Sequence, residues 1–234
     1  MQLVDARGGK TLGINSGGED LTLNDKEKQL IRAVGVLMHY PKGHTLFSAG
    51  DVADKIYLIE TGYVKIYRIA TDGRRVTVGC IRSPGELMGL AEALHHGERT
   101  CFAGAINDVK AIVVRKYKFQ ELLLQEPNLS IKVAKLLGAR MREAEAIVHE
   151  MVCWQVSGRL AMMLLKVSEL CGIKTDRGIK IDLRLTHEEM ANMIGTSRQT
   201  VTSALNTFKQ EKSIAMEGRD IYITDVEKLT RWIM

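Results

Sequence analysis

The spacing of the apolar residues changes near Pro127, and this change constrains the fold more than any other feature of the sequence. From about Tyr40 up to that point, short β-branched or aromatic runs recur at residues 44–50, 55–69, 74–81, 102–106 and 109–118. Glycines punctuate the runs, and Asp72-Gly73 is typical of a hairpin turn. Many short strands joined by glycine turns predict a β-sandwich or barrel, here a double-stranded β-helix, or jelly roll.

After Pro127 the spacing becomes helical. Residues 128–152 predict one helix of about 25 residues, which would be about 38 Å long. Positions four and three apart along it follow the alternation of a coiled coil: Val133, Leu137, Arg140, Ala144, Ile147 and Met151. Because so long a helix outruns a small domain's own core, we expect these residues to form a homodimer seam. Packing on the helix's own domain is the alternative.

The rest of the chain predicts a second domain of helices and short strands. A helix over residues 156–172 ends at Gly172, a candidate C′ residue, and residues 177–186 alternate like a strand. Residues 213–225 predict a two-stranded wing, and a last helix begins at Val226. Since strands come first and helices later, the predicted class is α+β, with two domains joined by the long helix.

Residues 185–218 spell a helix, a tight turn and a second helix. Thr186 and Glu189 have the spacing of a capping box for the first helix, and Gly195 suits the turn. Thr196 and Gln199 have the same spacing and predict a cap for the second helix, over residues 197–210. This arrangement is typical of a helix-turn-helix, whose second helix enters the major groove of DNA.

The chemistry of the second helix agrees with that function. A guanidinium such as that of Arg198 can chelate guanine, and a carboxamide such as that of Gln199 can chelate adenine. Hydroxyls suit phosphates or thymine methyls, as at Thr196, Ser197, Thr200, Thr202 and Ser203, and Lys209 is a candidate backbone contact. The first turn has no acid, although helix starts favour Asp and Glu. We therefore predict binding to double-stranded DNA rather than an ordinary solvated helix start.

Composition excludes several other classes. The chain has 234 residues and a formal charge of +5, which is compatible with a polyanionic partner. The four cysteines, at positions 80, 101, 153 and 171, form no C-x-x-C pair, and no H-x-H pair suggests the metal centre of a cupin-type enzyme. We predict no enzyme activity and no metal site. An apolar stretch of membrane-spanning length and a signal peptide are missing, so we expect a cytoplasmic protein without a membrane partner.

The sequence resembles the cyclic-AMP receptor protein/FNR (CRP/FNR) family of bacterial transcriptional regulators. The resemblance rests on KGHTLFSAGDVADKIYLIETGYVKIYR, PGELMG, ERT, VSGRLAMMLL and LTHEEMANMIGTSRQTVTSALN, and the last is most similar to the carbon-monoxide-sensing branch. It implies a homodimer in which an effector reorients the recognition helices onto a palindromic operator, with RNA polymerase a further partner. It also implies four parts: a flexible tail (1–22), a cyclic-nucleotide-binding-like domain (23–125), a dimerisation helix and hinge (126–155) and a winged helix-turn-helix (156–234).

The same resemblance implies an effector site in the β-domain. Arg99-Thr100 match the family's phosphate-binding pair, and Arg140 matches an arginine on the long helix. Leu90, after Gly89, stands where cyclic-nucleotide binders have a glutamate, which leaves Glu92 as a substitute, and Ala144 stands where they have a threonine. An ion pair of Arg99 with Glu92 or Glu98 is the alternative role.

The effector itself stays open between a cyclic nucleotide, a haem and a redox signal or other small molecule. A haem would need an axial ligand from the set His95, His96, Cys80, Cys101 and Met88. The paired histidine and cysteine ligands of the carbon-monoxide-sensing branch are absent from the corresponding region.

Overall fold

The structure is a computed structural model that describes residues 22–95 and 97–233. The predicted flexible tail, except for Thr22, and His96 lie outside the described residues. The chain divides into two compact units, with the division between Ala144 and Glu145. We call the part before this division the β-roll unit and the part after it the C-terminal unit. The division falls inside the long helix, whereas the predicted domain boundaries lie at its two ends.

The described residues of the β-roll unit form eight strands, three complete helices and most of a fourth. The strands are β1 (Val36–Tyr40), β2 (Thr45–Phe47), β3 (Lys55–Thr61), β4 (Val64–Ile69), β5 (Arg75–Thr77), β6 (Leu87–Met88), β7 (Phe102–Ala105) and β8 (Val109–Arg115). The helices are α1 (Asp25–Val34), α2 (Leu90–His95), α3 (Lys116–Gln125) and α4 (Pro127–Cys153), the last of which continues past Ala144.

Two antiparallel sheets, with strand orders β1-β8-β3-β6 and β2-β7-β4-β5, confirm the predicted jelly roll. Strand β3 is buried on both faces because its side chains alternate between two cores. Ile56 and Leu58 pack into one core with α1, α3 and α4, while Tyr57 and Ile59 pack into the other, against the second sheet. The predicted hairpin at Asp72-Gly73 joins β4 to β5.

Two sequence predictions for this unit need correction, and one helix was not predicted. The β-domain begins earlier than Tyr40, at the edge strand β1, whose residues Val36, Leu37 and Met38 are all exposed, so β1 lacks the alternation that reveals a strand. Helix α1 precedes it and begins with a capping box between Asn24 and Glu27. Residues 116–118 start α3 instead of extending the last strand, because β8 ends at Arg115.

The C-terminal unit is a winged helix-turn-helix, as predicted. After the end of α4, its elements are α5 (Val156–Cys171), β9 (Gly172–Thr175), β10 (Gly178–Ile181), α6 (His187–Ile194), α7 (Arg198–Gln210), β11 (Ile214–Glu217), β12 (Asp220–Ile223), α8 (Val226–Thr230) and a 3-10 turn (Arg231–Ile233). The four strands form one antiparallel sheet in the order β11-β12-β10-β9. Apolar residues of α5, α6 and α7, such as Leu164, Met190 and Leu205, are buried.

Gly172 is not a left-handed C′ residue. Its backbone is extended, with φ −80° and ψ 137°, and it begins β9, a strand that the sequence analysis did not predict. A Cβ at this position would lie 2.2 Å from the carbonyl oxygen of Ser168. Glycine is therefore required here by close packing and not by the backbone conformation. Within the described ranges, no helix combines the length and the apolar character needed to cross a membrane.

Candidate DNA-binding surface and effector site

Helices α6 and α7 form the predicted helix-turn-helix. The capping box at the start of α6 is present: Glu189 N donates to Thr186 Oγ1 at 3.1 Å, and Thr186 N donates to Glu189 Oε2 at 3.0 Å. The helix ends at Gly195, which has the left-handed φ of +65° that favours glycine. The facing apolar residues are buried, namely Met190, Ala191, Ile194, Val201, Leu205 and Phe208.

The cap of α7 is Ser197, not Thr196. Thr200 N donates to Ser197 Oγ at 3.1 Å, and the hydroxyls of Ser197 and Thr200 lie 2.8 Å apart. The prediction from Thr196 and Gln199 was one residue early, because Ser197 is still extended and Arg198 is the first helical residue. The predicted span of the recognition helix is otherwise confirmed, and its first turn holds no acid.

The exposed face of α7 carries polar groups that have no partner among the residues that the structure describes. The hydroxyl of Thr202 is engaged, since it donates to the carbonyl of Arg198 at 2.9 Å and lies 2.8 Å from His187 Nδ1. By contrast, the side chains of four exposed residues form no hydrogen bond or ion pair within the described sequence: Arg198, Gln199, Ser203 and Asn206. Predicted contacts Thr200 and Lys209 are also exposed, and Thr196 is half-buried.

Asn206 was missed by the sequence analysis. It lies seven residues after Gln199 and three after Ser203, which places all three on one face of α7. This spacing is visible in the sequence once the helix bounds are known. A carboxamide can make a bidentate contact with adenine, as Gln199 can.

The wing carries a mixture of charges. Asp220 on β12 forms ion pairs with Lys180 at 2.7 Å and Arg184 at 3.4 Å, and its hydrogen bond with Lys180 lowers the pKa of the Asp220 carboxyl. Arg219 is exposed beside Gly218, whose φ of +60° makes the turn between β11 and β12. The tip of the wing therefore presents a positive charge.

The last turn of α4 is tied to the helix-turn-helix inside the C-terminal unit. Arg159 on α5 donates through Nε to the carbonyl of Ile194 at 3.0 Å and through Nη1 to that of Trp154 at 2.7 Å. Lys166 on α5 also pairs with Glu150 on α4 at 2.7 Å. Two helix ends are thus held to α5.

Gly158 is a buried residue of α5, just after the segment predicted as dimerisation helix and hinge (126–155). A Cβ on Gly158 would lie 2.6 Å from the carbonyl oxygen of Trp232. The glycine is therefore explained by the close approach of the terminal 3-10 turn.

The structure brings several predicted effector residues together in the β-roll unit. The Arg99 guanidinium is buried: it donates to the carbonyl of Gly89 at 2.8 Å and to that of Lys55, and lies 4.5 Å from the ring centroid of Phe47. Glu92 lies 3.5 Å from Arg99 and accepts a hydrogen bond from Thr100 at 3.0 Å. The alternative ion pair of Arg99 with Glu92 is therefore present.

Leu90, which stands where cyclic-nucleotide binders have a glutamate, is 1% exposed and packs in the core with α1, α3 and α4. Its side chain therefore supplies no polar group to a ligand.

A second charged cluster joins α4 to the segment before β6, and only Arg140 in it was predicted as a site residue. Arg140 donates to the carbonyl of Leu87 and lies 3.6 Å from Glu86. Its Nε is buried and has no hydrogen-bond partner in residues 22–95 and 97–233, and burial lowers the pKa of its guanidinium to about 10. Buried Glu143 accepts from the backbone of Cys80 at 3.2 Å and pairs with Arg82 at 3.5 Å. The sequence signal was local: Glu143 follows Arg140 by three residues on one helix.

The predicted dimer residues do not share one exposed face. Val133 is 4% exposed, so its side chain is covered by its own unit, while Leu137 is half-buried against the same core; their place in a dimer seam stays a prediction. Ala144 is exposed, while Arg140, Ile147 and Met151 are half-buried. A different stripe of exposed apolar residues runs along the helix, with spacings of three, four or seven residues. Its members are Ile131, Ala134, Met141, Val148 and Val152. We call it the α4 stripe.

Two of the candidate haem ligands are packed in or against a core of the β-roll unit. Met88 is 2% exposed in a core, Cys101 packs against the same core, and burial raises the pKa of the Cys101 thiol. His95 is exposed, and His96 lies outside the described residues. Among residues 22–95 and 97–233, no group of three or more His, Cys, Asp or Glu side chains is arranged to hold a metal ion.

Comparison with known proteins matches both units. Residues 158–232 match the Crp-like helix-turn-helix domain, and residues 37–126 match the cyclic nucleotide-binding domain. The chain is 32% identical over 192 residues to a CRP-like cAMP-activated global transcriptional regulator of Mycobacterium tuberculosis, covering 82% of this chain and 85% of that protein. It is 30% identical to a global nitrogen regulator of Synechococcus elongatus, covering 79% and 83%.

Solved structures give the same fold. FixK2 from Bradyrhizobium japonicum superposes with a TM-score of 0.76 at 21% identity, covering 86% of this chain and 98% of that one. A CooA mutant from Carboxydothermus hydrogenoformans superposes with a TM-score of 0.71 at 25% identity, covering 87% and 90%.

Proposed function

This chain belongs to the CRP/FNR family of effector-responsive, DNA-binding transcriptional regulators, and from that membership we propose how its own residues read and regulate an operator. The protein acts as a homodimer. An effector bound in the β-roll unit favours the arrangement in which both copies of α7 enter the major groove of a palindromic site. The functional parts are those predicted from the sequence: effector domain (23–125), dimerisation helix (126–155) and DNA-binding domain (156–234).

The observation that carries the DNA-reading proposal is the unpartnered polar face of α7. Arg198 chelates a guanine, and Gln199 and Asn206 contact adenines. Ser203 lies between them on the same face and contacts a base edge or a phosphate. Ser197, Thr200 and Thr202, whose hydroxyls are engaged within the chain, set the helix start. Thr196, Lys209 and Arg219 contact phosphates at the edges of the surface.

The α4 stripe supports the dimer. A row of apolar residues on one face of a 27-residue helix is typical of a coiled-coil seam. Pairing of two such helices about a two-fold axis presents the same surface of α7 twice, which matches a palindromic operator with half-sites one helical turn apart. Ala144 lies at the edge of this stripe, and RNA polymerase is the proposed partner of the DNA-bound dimer.

The effector is proposed to be a small molecule with an anionic group. The cluster of Arg99 and Thr100 supports this chemistry, because a guanidinium beside a hydroxyl suits a phosphate or carboxylate. Cyclic AMP is the first candidate, since the M. tuberculosis relative is cAMP-activated and residues 37–126 match a cyclic nucleotide-binding domain. The presence of Leu90 in place of the glutamate of cyclic-nucleotide binders weighs against cyclic AMP. The ligand must bind the DNA-competent state better than the idle state, or it changes no population.

A binding-site selection tests the function. The full chain is incubated with a library of random duplexes, with and without cyclic AMP, and the enriched site is then titrated at several salt concentrations. We expect a palindromic site and an affinity that falls steeply with salt, because phosphate contacts release counterions. Enrichment of no sequence under either condition, with no salt-dependent duplex binding, would overturn the DNA-reading proposal.

A further inference from the structure

Glu92 lies where an anionic ligand of the Arg99-Thr100 pair would have to bind. Its two carboxylate oxygens are used separately: Oε1 accepts from the Thr100 hydroxyl at 3.0 Å, and Oε2 lies 3.5 Å from Arg99 Nη1. A phosphate or carboxylate bound by this pair would make the same two contacts. The protein's own carboxylate therefore accepts the Thr100 hydroxyl and lies beside the Arg99 guanidinium in this structure.

The arginine is fixed independently of Glu92. Its side chain is only 1% exposed, and carbonyls of Gly89 and Lys55 accept from its two terminal nitrogens. A Cβ on Gly89 would lie 2.9 Å from Arg99 Nη1, so the bare glycine backbone is what lets the guanidinium approach. Removing Glu92 would thus leave Arg99 in place, already oriented to bind an anion.

Glu92 is the movable member of the cluster. Its side chain is 18% exposed, and its distance of 3.5 Å from Arg99 is that of a weak ion pair without a close hydrogen bond. Glu92 lies on α2, which is anchored by the buried side chains of Leu90, two residues before Glu92, and Ala93, the next residue. A change of rotamer would turn the carboxylate away from Arg99 and Thr100 without requiring α2 to move.

We propose that Glu92 is a built-in competitor that occupies the anion site of the β-roll unit until an anionic effector displaces its carboxylate from Arg99 and Thr100. This inference rests on the proposed function for the identity of the site, and adds how the site is closed. The competitor sets a threshold: the effector must outbind a carboxylate that is always present at high local concentration. Two sources of the displacing group are distinguished by experiment, the phosphodiester of a cyclic nucleotide and free phosphate.

The test measures ligand binding by the full chain with Glu92 neutralised. Glu92→Gln keeps the size of the side chain and removes its charge. We expect this variant to bind cyclic AMP, inorganic phosphate or both at least roughly tenfold more tightly than the unaltered chain in calorimetric titrations, the effect of removing one competing charge. The matched control is Glu98→Gln, which removes an exposed negative charge next to Arg99 in sequence and is expected to leave both affinities unchanged.

The outcomes separate the proposal from a structural role. A melting temperature of Glu92→Gln close to that of the unaltered chain shows that the fold is intact, and Glu92→Ala provides a second variant if it is not. Weaker binding by Glu92→Gln would mean that Glu92 holds the ligand. Equal binding by the variant and the unaltered chain, or binding of neither cyclic AMP nor phosphate by the two proteins, would mean that Glu92 does not compete. Each of these results overturns the proposal. Operator binding by the unaltered chain is measured separately, so a failure of the proposed function is recognised independently.

Discussion

The side chain of Met151, in the last turn of α4, lies against Gly195, the residue that ends α6. A Cβ built on Gly195 would lie 3.1 Å from Met151 Cε and 3.4 Å from its Sδ. The glycine also has a φ of +65°, in the left-handed region. Position 195 is therefore constrained twice, by its backbone conformation and by its neighbour.

Comparing the variants Gly195→Ala and Gly195→Asn separates the backbone constraint from the packing constraint. Gly195→Ala is expected to lower the free energy of unfolding by about 1–2 kcal/mol, because a left-handed backbone is unfavourable for a residue with a Cβ. Gly195→Asn brings the same Cβ towards Met151, but asparagine tolerates this conformation better, so its loss is smaller. Urea unfolding measures both. Equal losses in the two variants would assign the cost to Met151 instead of the backbone.

Arg198→Ala is expected to weaken binding to the selected operator by about 1–3 kcal/mol and to relax base preference at one position of each half-site. The measurement is fluorescence anisotropy with the operator and a set of single-base variants. Gln210→Ala, at the exposed far end of the same helix, is the matched control and should change affinity little. A uniform loss on all sequences would show that Arg198 contacts only phosphate.

Asn206→Ala tests the reading residue that the structure adds. Asn206 follows Arg198 by eight residues, so it lies about 12 Å farther along α7 and should read a different base. We expect relaxed preference at a position other than the one affected by Arg198→Ala, with the affinity for the best site reduced by about 1 kcal/mol or more. The same anisotropy series measures it. An unchanged base preference would exclude Asn206 from base reading.

Val148→Glu tests the α4 stripe. Val148 is 63% exposed, and a glutamate there would place two like charges opposite each other across a two-fold seam. Sedimentation equilibrium should show dissociation at concentrations where the unaltered chain is dimeric. Val52→Glu introduces the same change at a 74% exposed valine of the β-roll unit and should leave the assembly intact. A dimer unaffected by Val148→Glu would remove this face of α4 from the interface.

The cysteines should differ in reactivity with pH. Burial raises the pKa of the Cys171 thiol to about 11, so about a thousandth of it is thiolate at pH 8, whereas Cys153 is exposed. A disulfide reagent at pH 8 should therefore modify Cys153 before Cys171, and the rate at Cys171 should rise as the pH approaches 10. Mass spectrometry assigns the sites, with Cys153→Ser as the control. Rapid modification of Cys171 at pH 8 would contradict its protected environment.

The sequence predicted the elements whose side chains alternate or repeat regularly. The strands around Ile56 and Ile66 and the helix-turn-helix around Gly195 have strong local patterns, and the structure confirms them. Strand β1 was missed because its apolar residues are exposed on an edge, and Thr196 was chosen as a cap because two adjacent hydroxyl residues offered the same spacing. Such a choice depends on one backbone torsion angle, which composition does not determine.

The contacts of helix α4 could not be predicted from local sequence patterns. Val133 and Ala134 are adjacent and both apolar, yet Val133 is buried in its own unit and Ala134 is exposed, because the helix packs on the β-roll with one face. The partners of Glu143 are Arg82 and the backbone of Cys80, about sixty residues away in the chain. Contacts over such distances arise only once both sheets have formed, which is why Glu143 was absent from the predicted site.

From the two bonds of Arg159 we expect the ends of α4 and α6 to exchange their amide hydrogens as one cooperative group. The same guanidinium caps carbonyls of Trp154 and Ile194, so a fluctuation that frees one of them weakens the hold on the other. Local opening at the end of α4 and at the end of α6 should therefore share one protection factor, even though some forty residues separate them in the chain.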